Sequence, residues 1–135
     1  MSYSYPISVV VGTAGADIVA TDGFELVIPA NAFRGDVTVT IAAPVTATTV
    51  SGLTNVSRAW AIGPVDQAFA VSATVFVPYF SSYESRRSSI KDYMCDTVGN
   101  PDPGGWVPAP QDMSKSGKMG GTISKIQCVM ACIPT

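Results

Sequence analysis

A two-sheet antiparallel β-sandwich in a single domain is the fold this sequence predicts, and three observations carry the prediction. Apolar residues recur with period two in short runs, among them Phe24, Leu26 and Ile28, then Val37, Val39 and Ile41. Alternation of this kind marks a strand with one buried face. The runs stop abruptly at prolines: Pro29 ends the first and Pro78 a later one. Proline has no backbone N–H and cannot continue a strand ladder. The composition is also that of strands joined by tight turns, with ten prolines, twelve glycines, 47% hydrophobic and 13% charged residues. That much apolar surface supports a packed core, and so little charge excludes a disordered chain. The length, 135 residues, fits one domain.

The elements follow in order. Tyr3, Tyr5, Ile7, Val9 and Val11 alternate with smaller or polar residues and read as a first strand, over 2–11. It lies in an N-terminal extension of residues 1–13; the sandwich proper spans 14–135. Residues 17–20 read as a short second strand and Thr21-Asp22-Gly23 as a tight turn, since Asp-Gly between two strands is a strong hairpin signal. Strands at 24–28 and 36–42 come next. Residues 44–56, with Pro44 and Gly52, read as a loop or irregular edge. Residues 57–62 read as a strand with Trp60 and Ile62 on one face, and 71–77 as another. Residues 79–89 are rich in tyrosine, serine and arginine and read as an exposed loop, with a short helix as the alternative. Residues 90–95 form a strand, 98–105 a proline-glycine turn cluster, and 106–108 a short strand with Trp106 as a core plug. Residues 120–133 read as one long closing strand.

Charge and residue usage exclude several function classes. The net charge is −2 and the eight basic residues are scattered, apart from Arg86-Arg87 with Lys91. A nucleic-acid binder needs a concentrated basic face to displace counterions from phosphates, so no nucleic-acid partner is expected. The chain has no histidine, which removes the commonest general base and metal ligand. No apolar run reaches the roughly 18–20 residues that cross a bilayer, and no membrane insertion is expected. Met1 to Pro6 lack the basic and apolar regions of a signal peptide. A cytosolic protein, a chain with its leader removed and a module excised from a larger protein all fit this.

Pro29-Ala30-Asn31-Ala32-Phe33 resembles the proline corner of the zonula-occludens/netrin-receptor module, the ZU-five domain. Further pieces fall in that family's order. Trp60-Ala61-Ile62-Gly63-Pro64 resembles its strand ending in Gly-Pro. Phe69 and Val71, then Val77-Pro78 before a tyrosine, resemble the next segment. Tyr93 to Asp96, then Gly105-Trp106-Val107-Pro108, resemble its aromatic hairpin. Together these cover residues 14 to 133. The resemblance implies a β-sandwich that mediates protein contacts or caps larger assemblies, as found in bacterial surface proteins and lipoproteins. It implies no enzyme activity, with one exception. Some members cut themselves at a His-Phe-Ser tripeptide near the last strand. The matching stretch is Ile126-Gln127-Cys128: Cys128 takes the nucleophile's place, but Ile126 takes the histidine's.

A non-catalytic interaction or assembly module is therefore the expected function, with no catalytic residues, metal site or cofactor. The expected partner is a protein or a second copy of the chain, the latter through strand 2–11 added to a neighbour's sheet edge. Tyr79, Phe80 and Tyr83, beside Arg86 and Arg87, combine aromatic and arginine residues of the kind that dominate protein–protein hot spots. With Tyr3 and Tyr5 they form the candidate interaction surface. The alternatives are a self-cleaving sandwich using Cys128, and a carbohydrate-binding sandwich using Trp60, Trp106 or the 79–83 aromatics. Cys95, Cys128 and Cys132 read as buried thiols, or as one disulfide of Cys95 with either partner. Asp17, Asp22, Asp36 and Asp66 read as turn residues rather than calcium ligands. Gly12 to Gly15 and Gly117 to Gly121 read as turns without phosphate-loop spacing.

Overall fold

The computed structural model describes residues 2–46, 52–64, 67–95, 107–126 and 128–134. The chain is all-β and antiparallel. β1 (Ile7–Val11) buries Ile7 and Val11 and leaves Val10 63% exposed, the alternation its sequence dictates. β2 (Ala16–Val19) and β3 (Glu25–Ile28) form a hairpin around the Asp-Gly turn. β4 (Val37–Ile41) then runs antiparallel to β1, with Ile7 opposite Ile41 and Val11 opposite Val37. The strand predicted over 2–11 is thus paired within its own chain from Ile7 onward, and Tyr3 makes an isolated parallel bridge to Ala20.

The proline corner has a backbone explanation. Asn31 adopts a left-handed conformation at φ 66°, which asparagine tolerates better than most residues. Its N–H donates to the Thr13 carbonyl at 2.7 Å, and the Ala32 N–H donates to the Pro29 carbonyl at 3.3 Å. Gly15 presses on the same corner. Its φ is +76°, and a Cβ there would lie 2.2 Å from the Ile28 carbonyl oxygen. Glycine alone lets the chain pass so close.

β5 (Leu53–Trp60) begins earlier than predicted, because Leu53, Thr54 and Asn55 pair with the end of the chain. After β6 (Ile62–Gly63), β7 (Ala68–Pro78) is the longest strand. The segment read as an exposed loop is a 3-10 helix over Ser81–Ser89, the alternative that the sequence left open. It buries none of its residues, so no apolar stripe marked it. β8 (Lys91–Cys95), β9 (Val107–Pro108) and β10 (Gln111–Asp112) lead to β11 (Lys118–Lys125) and β12 (Cys128–Pro134). The single closing strand read over 120–133 is therefore two strands, and they belong to different sheets. The Val98–Gly105 turn, Trp106, Asp66 and Asp96 lie outside the described residues.

Among the described residues hydrogen bonds build three sheets where the sequence predicts two. Their orders are β1-β4-β6, β10-β11-β7-β3-β2 and β5-β12-β8-β9. All three contribute to one contiguous core that includes Ile7, Leu26, Val39, Trp60, Val75, Ile123 and Val129. Phe24 and Trp60 stack inside it with ring centroids 5.0 Å apart, worth about 0.5–1.5 kcal/mol beyond the area they bury. β12 is sandwiched between β5 and β8 and is buried on both faces. Val129, Ala131 and Ile133 enter the main core, while Cys128, Met130 and Cys132 form a second cluster with Ala59.

Candidate binding cleft

Five separate segments meet and leave a cleft of about 400 Å³. Tyr5 comes from the chain before β1, Thr21 and Asp22 from the β2–β3 turn, and Pro44 from the chain after β4. Arg58 and Trp60 come from β5, and Pro78, Tyr79 and Phe80 from the end of β7. The structure thus gathers Tyr5, Tyr79 and Phe80, three of the aromatic residues singled out from sequence, around Trp60.

A relay of hydrogen bonds fixes the floor. The Trp60 indole N–H donates to the Tyr5 hydroxyl at 2.8 Å, and that hydroxyl donates to Asp22 Oδ1 at 2.9 Å. The Phe24 backbone N–H also donates to Asp22 Oδ1, at 3.0 Å. Burial pushes the Tyr5 phenol above its usual range, and the Asp22 carboxylate that accepts its proton adds to the shift. Tyr79 is 8% exposed and bonds to Glu84 of the 3-10 helix. Burial, then Glu84, raise its phenol too. Phe80, by contrast, is 49% exposed, and its N–H donates to the Val56 carbonyl at 2.7 Å. Val45, adjacent to Pro44, is 48% exposed and pairs with Ala59. Apolar Phe80 thus stands at the cleft together with exposed Thr21 and Asp22. Arg58 is exposed and enters no salt bridge among the described residues.

The remaining candidates lie elsewhere. Tyr3 and Tyr83 are half-buried and pack against the core. Arg86 is exposed. The Arg87 guanidinium is spent on structure: its Nη2 donates to the carbonyls of Met113 at 2.9 Å and Lys115 at 2.5 Å. It fastens the 3-10 helix to the β10–β11 loop. Sequence reasoning missed Arg58, Pro44 and the binding-site position of Asp22, because nothing local marks a residue as facing a cleft built from distant segments.

Two buried carboxylates, Glu25 and Asp92, also lie outside the cleft. Glu25 on β3 is 3% exposed and meets Lys115 Nζ at 2.5 Å and Lys118 Nζ at 3.8 Å. Lys115 lies over the Phe76 ring, 4.7 Å from its centroid. A hydrogen bond to Glu25, with burial, pushes Asp17 up to about 6. Burial would raise Glu25, but the Asp17 hydrogen bond and the Lys115 ammonium outweigh it and hold Glu25 below the usual carboxylate range. Asp92 on β8 is fully buried, and neither carboxylate oxygen has a hydrogen-bond partner among the described residues. Burial pushes it well above the usual range.

Cys128 is 3% exposed at the start of β12, opposite Cys95 in register. Cys132 is a buried free thiol that donates to Asn55 Oδ1 at 3.3 Å. Burial, then Asp92, push it up to about 12. A thiol held that high has little thiolate to offer as nucleophile.

No protein-family model matches the chain, and a comparison with curated proteins finds no match.

Proposed function

We propose that this chain is a non-catalytic interaction module whose contact surface is the cleft floored by Tyr5 and Trp60 and rimmed by Phe80. One observation carries the reading: segments far apart in sequence converge on a cleft where exposed Phe80 and half-buried Tyr5, Pro44 and Pro78 stand beside exposed Arg58, which enters no salt bridge among the described residues. Aromatic and arginine residues dominate interface energetics because they offer large area at low conformational cost, and arginine offers a rigid fork of donors. The resemblance of residues 29–33 and 60–78 to ZU-five domains points the same way and extends the proposal to a module of that type, serving at a cell surface.

A photo-reactive residue placed at position 80 tests the reading against one at position 71. Val71 is 46% exposed on β7 and away from the cleft. In cells producing the chain, position 80 is expected to give a discrete adduct that position 71 does not. Equal smears from both positions, or no adduct from either, would sink the proposal.

A further inference from the structure

We infer that Cys95 and Cys128 form a reversible disulfide that locks β8 onto β12.

The three cysteines allow three pairings, and the strand register selects one. Cys128 stands directly opposite Cys95 in the β8–β12 ladder, whereas Cys132 stands opposite Lys91. Directly opposed residues of an antiparallel pair share a face of the sheet, with Cα atoms about 4.5–5.5 Å apart. Disulfide-bonded cysteines hold their Cα atoms roughly 4.4–6.8 Å apart. Cys132 lies four residues along β12 from Cys128, a rise of about 13 Å. That puts it out of reach of Cys128 and, across the ladder, of Cys95. Its thiol donates to Asn55 Oδ1 at 3.3 Å instead.

The backbone hydrogen bonds give this pair its character. In a strand, the N–H and C=O of successive residues point to alternate sides. On β8 and just before it, the Asp92 carbonyl accepts from the Ala109 N–H at 2.8 Å and the Ile90 carbonyl accepts from Gln111. Both acceptors thus face β9 and β10, and Lys91, Tyr93 and Cys95 face β12. On β12 the Ala131 N–H donates to Ser57 Oγ at 2.8 Å, on the β5 side. Cys128, Met130 and Cys132 therefore face β8. Cys95 and Cys128 are consequently a hydrogen-bonded pair, the wider of the two kinds in such a ladder. Cβ atoms of directly opposed residues lie about 4.5–5.5 Å apart, towards the upper end in hydrogen-bonded pairs. A disulfide needs them at about 3.8 Å. Closing the gap strains the bond, and strained disulfides are the readily reduced ones. The pair is the last of the ladder, at the end of β8 and the start of β12. The backbone there can shift without distorting pairs on both sides.

The bond adds a covalent rung where β8 covers the edge of β12, a strand buried from Cys128 to Ile133. On its far side β8 pairs with β9 through two residues, Tyr93 and Met94. With oxidised glutathione as the acceptor, exchange passes through one mixed disulfide. The glutathione S–S bond breaks, the Cys95–Cys128 S–S bond forms, and two molecules of reduced glutathione leave. Two electrons and two protons pass from the cysteine thiols to the glutathione sulfurs.

The test equilibrates the full chain with glutathione buffers of graded oxidised-to-reduced ratio, approached from the reduced and from the oxidised side. N-ethylmaleimide then traps the thiols, and mass spectrometry maps the peptides. In oxidising buffers Cys95 should be joined to Cys128, a loss of about 2 Da, with maleimide on Cys132 alone. Excess reduced glutathione should return all three cysteines to the alkylated form. Deuterium uptake over residues 91–95 should be slower in the oxidised chain than in the reduced one. Cys132→Ala should keep the bond, and Cys95→Ala should abolish it without diverting Cys128 to Cys132. A bond through Cys132, glutathione adducts without the Cys95–Cys128 bond, or three alkylated thiols in every buffer overturn the pairing. A bond that survives excess reduced glutathione overturns its reversibility. Equal deuterium uptake in the two forms overturns the lock.

Discussion

At the scale of single residues, Asp92 is the least expected feature. It sits on β8 in line with the apolar Ile90 and Met94, and all three are buried. A Cβ at Gly121 of β11 would lie 3.0 Å from Asp92 Oδ2, so the glycine makes room for the carboxyl. Among the described residues no compensating cation lies beside it: the Ala109 N–H donates to its backbone carbonyl, Gly121 faces it, and the Cys132 thiol lies near on β12. With no partner for its charge, the carboxyl stays protonated above the usual aspartate range. The sign of the linkage follows. Between the ordinary aspartate value of 3.8 and the raised folded value, the folded chain holds a proton that the unfolded chain has released. Stability is fully present below that window and falls as pH rises through it. Asp92→Asn removes the ionisation while keeping the shape. It should stabilise the chain at pH 8 by on the order of 1–3 kcal/mol, raise the melting temperature there, and do much less at pH 4. Thermal melts of both proteins across that range measure it, and identical pH profiles would refute it. Sequence alone exposed the position of Asp92 but not its burial, because one polar residue in an alternating strand reads equally well as facing out.

At the scale of elements, the β10–β11 loop is held down electrostatically. Lys115 reaches from it to Glu25, Lys118 does so from the start of β11, and Arg87 holds the loop's carbonyls from the 3-10 helix. Lys115→Met strips the shorter ion pair from a carboxylate whose side chain is 4% exposed. The Lys115 side chain is 40% exposed and Lys118 remains close, so solvent and the second ammonium soften the loss. The expected cost is about 1 kcal/mol by denaturant titration, and the double change Lys115→Met, Lys118→Met should cost more than either alone. Asp17 and Glu25 titrate with opposite signs. Glu25, held low, contributes stability that is present above its ordinary range and lost as pH falls. Asp17, raised to about 6, contributes stability that is present below 3.8 and lost as pH rises towards 6. Asp17→Asn should therefore flatten the stability profile between pH 4 and 6. The strands themselves were legible in the sequence wherever one face is wet. Period two located β1, β3, β4 and the second half of β7. It failed at β11 and β12, which belong to different sheets although the sequence between them, Ile126-Gln127, carries no turn residue. It failed for a physical reason: β12 is buried on both faces, so Cys128 to Ile133 form an unbroken apolar run that alternation cannot divide.

For the whole molecule, the decisive question is where residues 2–11 belong. Sequence alone allowed two answers, pairing within the chain or donation to a neighbour's edge, because a long apolar alternating strand suits both. The cleft was still less legible, since its walls come from five separated segments and only the fold brings them together. The two answers for 2–11 predict opposite outcomes on deletion. If the strand were donated, the full chain would associate with rising concentration and the shortened chain would not. In the structure β1 covers the edge of β4 over five paired residues. Ile7 and Val11 are 2% and 1% exposed within the core, and Tyr5 supplies part of the cleft's floor. Deleting 2–11 removes two fully buried side chains, each worth about 1.5–3 kcal/mol of burial, and leaves the edge of β4 opposite β6 unpaired. Open strand edges recruit other strands. The shortened chain should therefore melt earlier and associate with concentration in sedimentation velocity, more strongly than the full chain does. It should also lose affinity for any ligand of the cleft, since Tyr5 and its bond to Asp22 go with the strand. A full chain that associates and a shortened chain that stays monomeric would reverse the assignment and make this strand the assembly element.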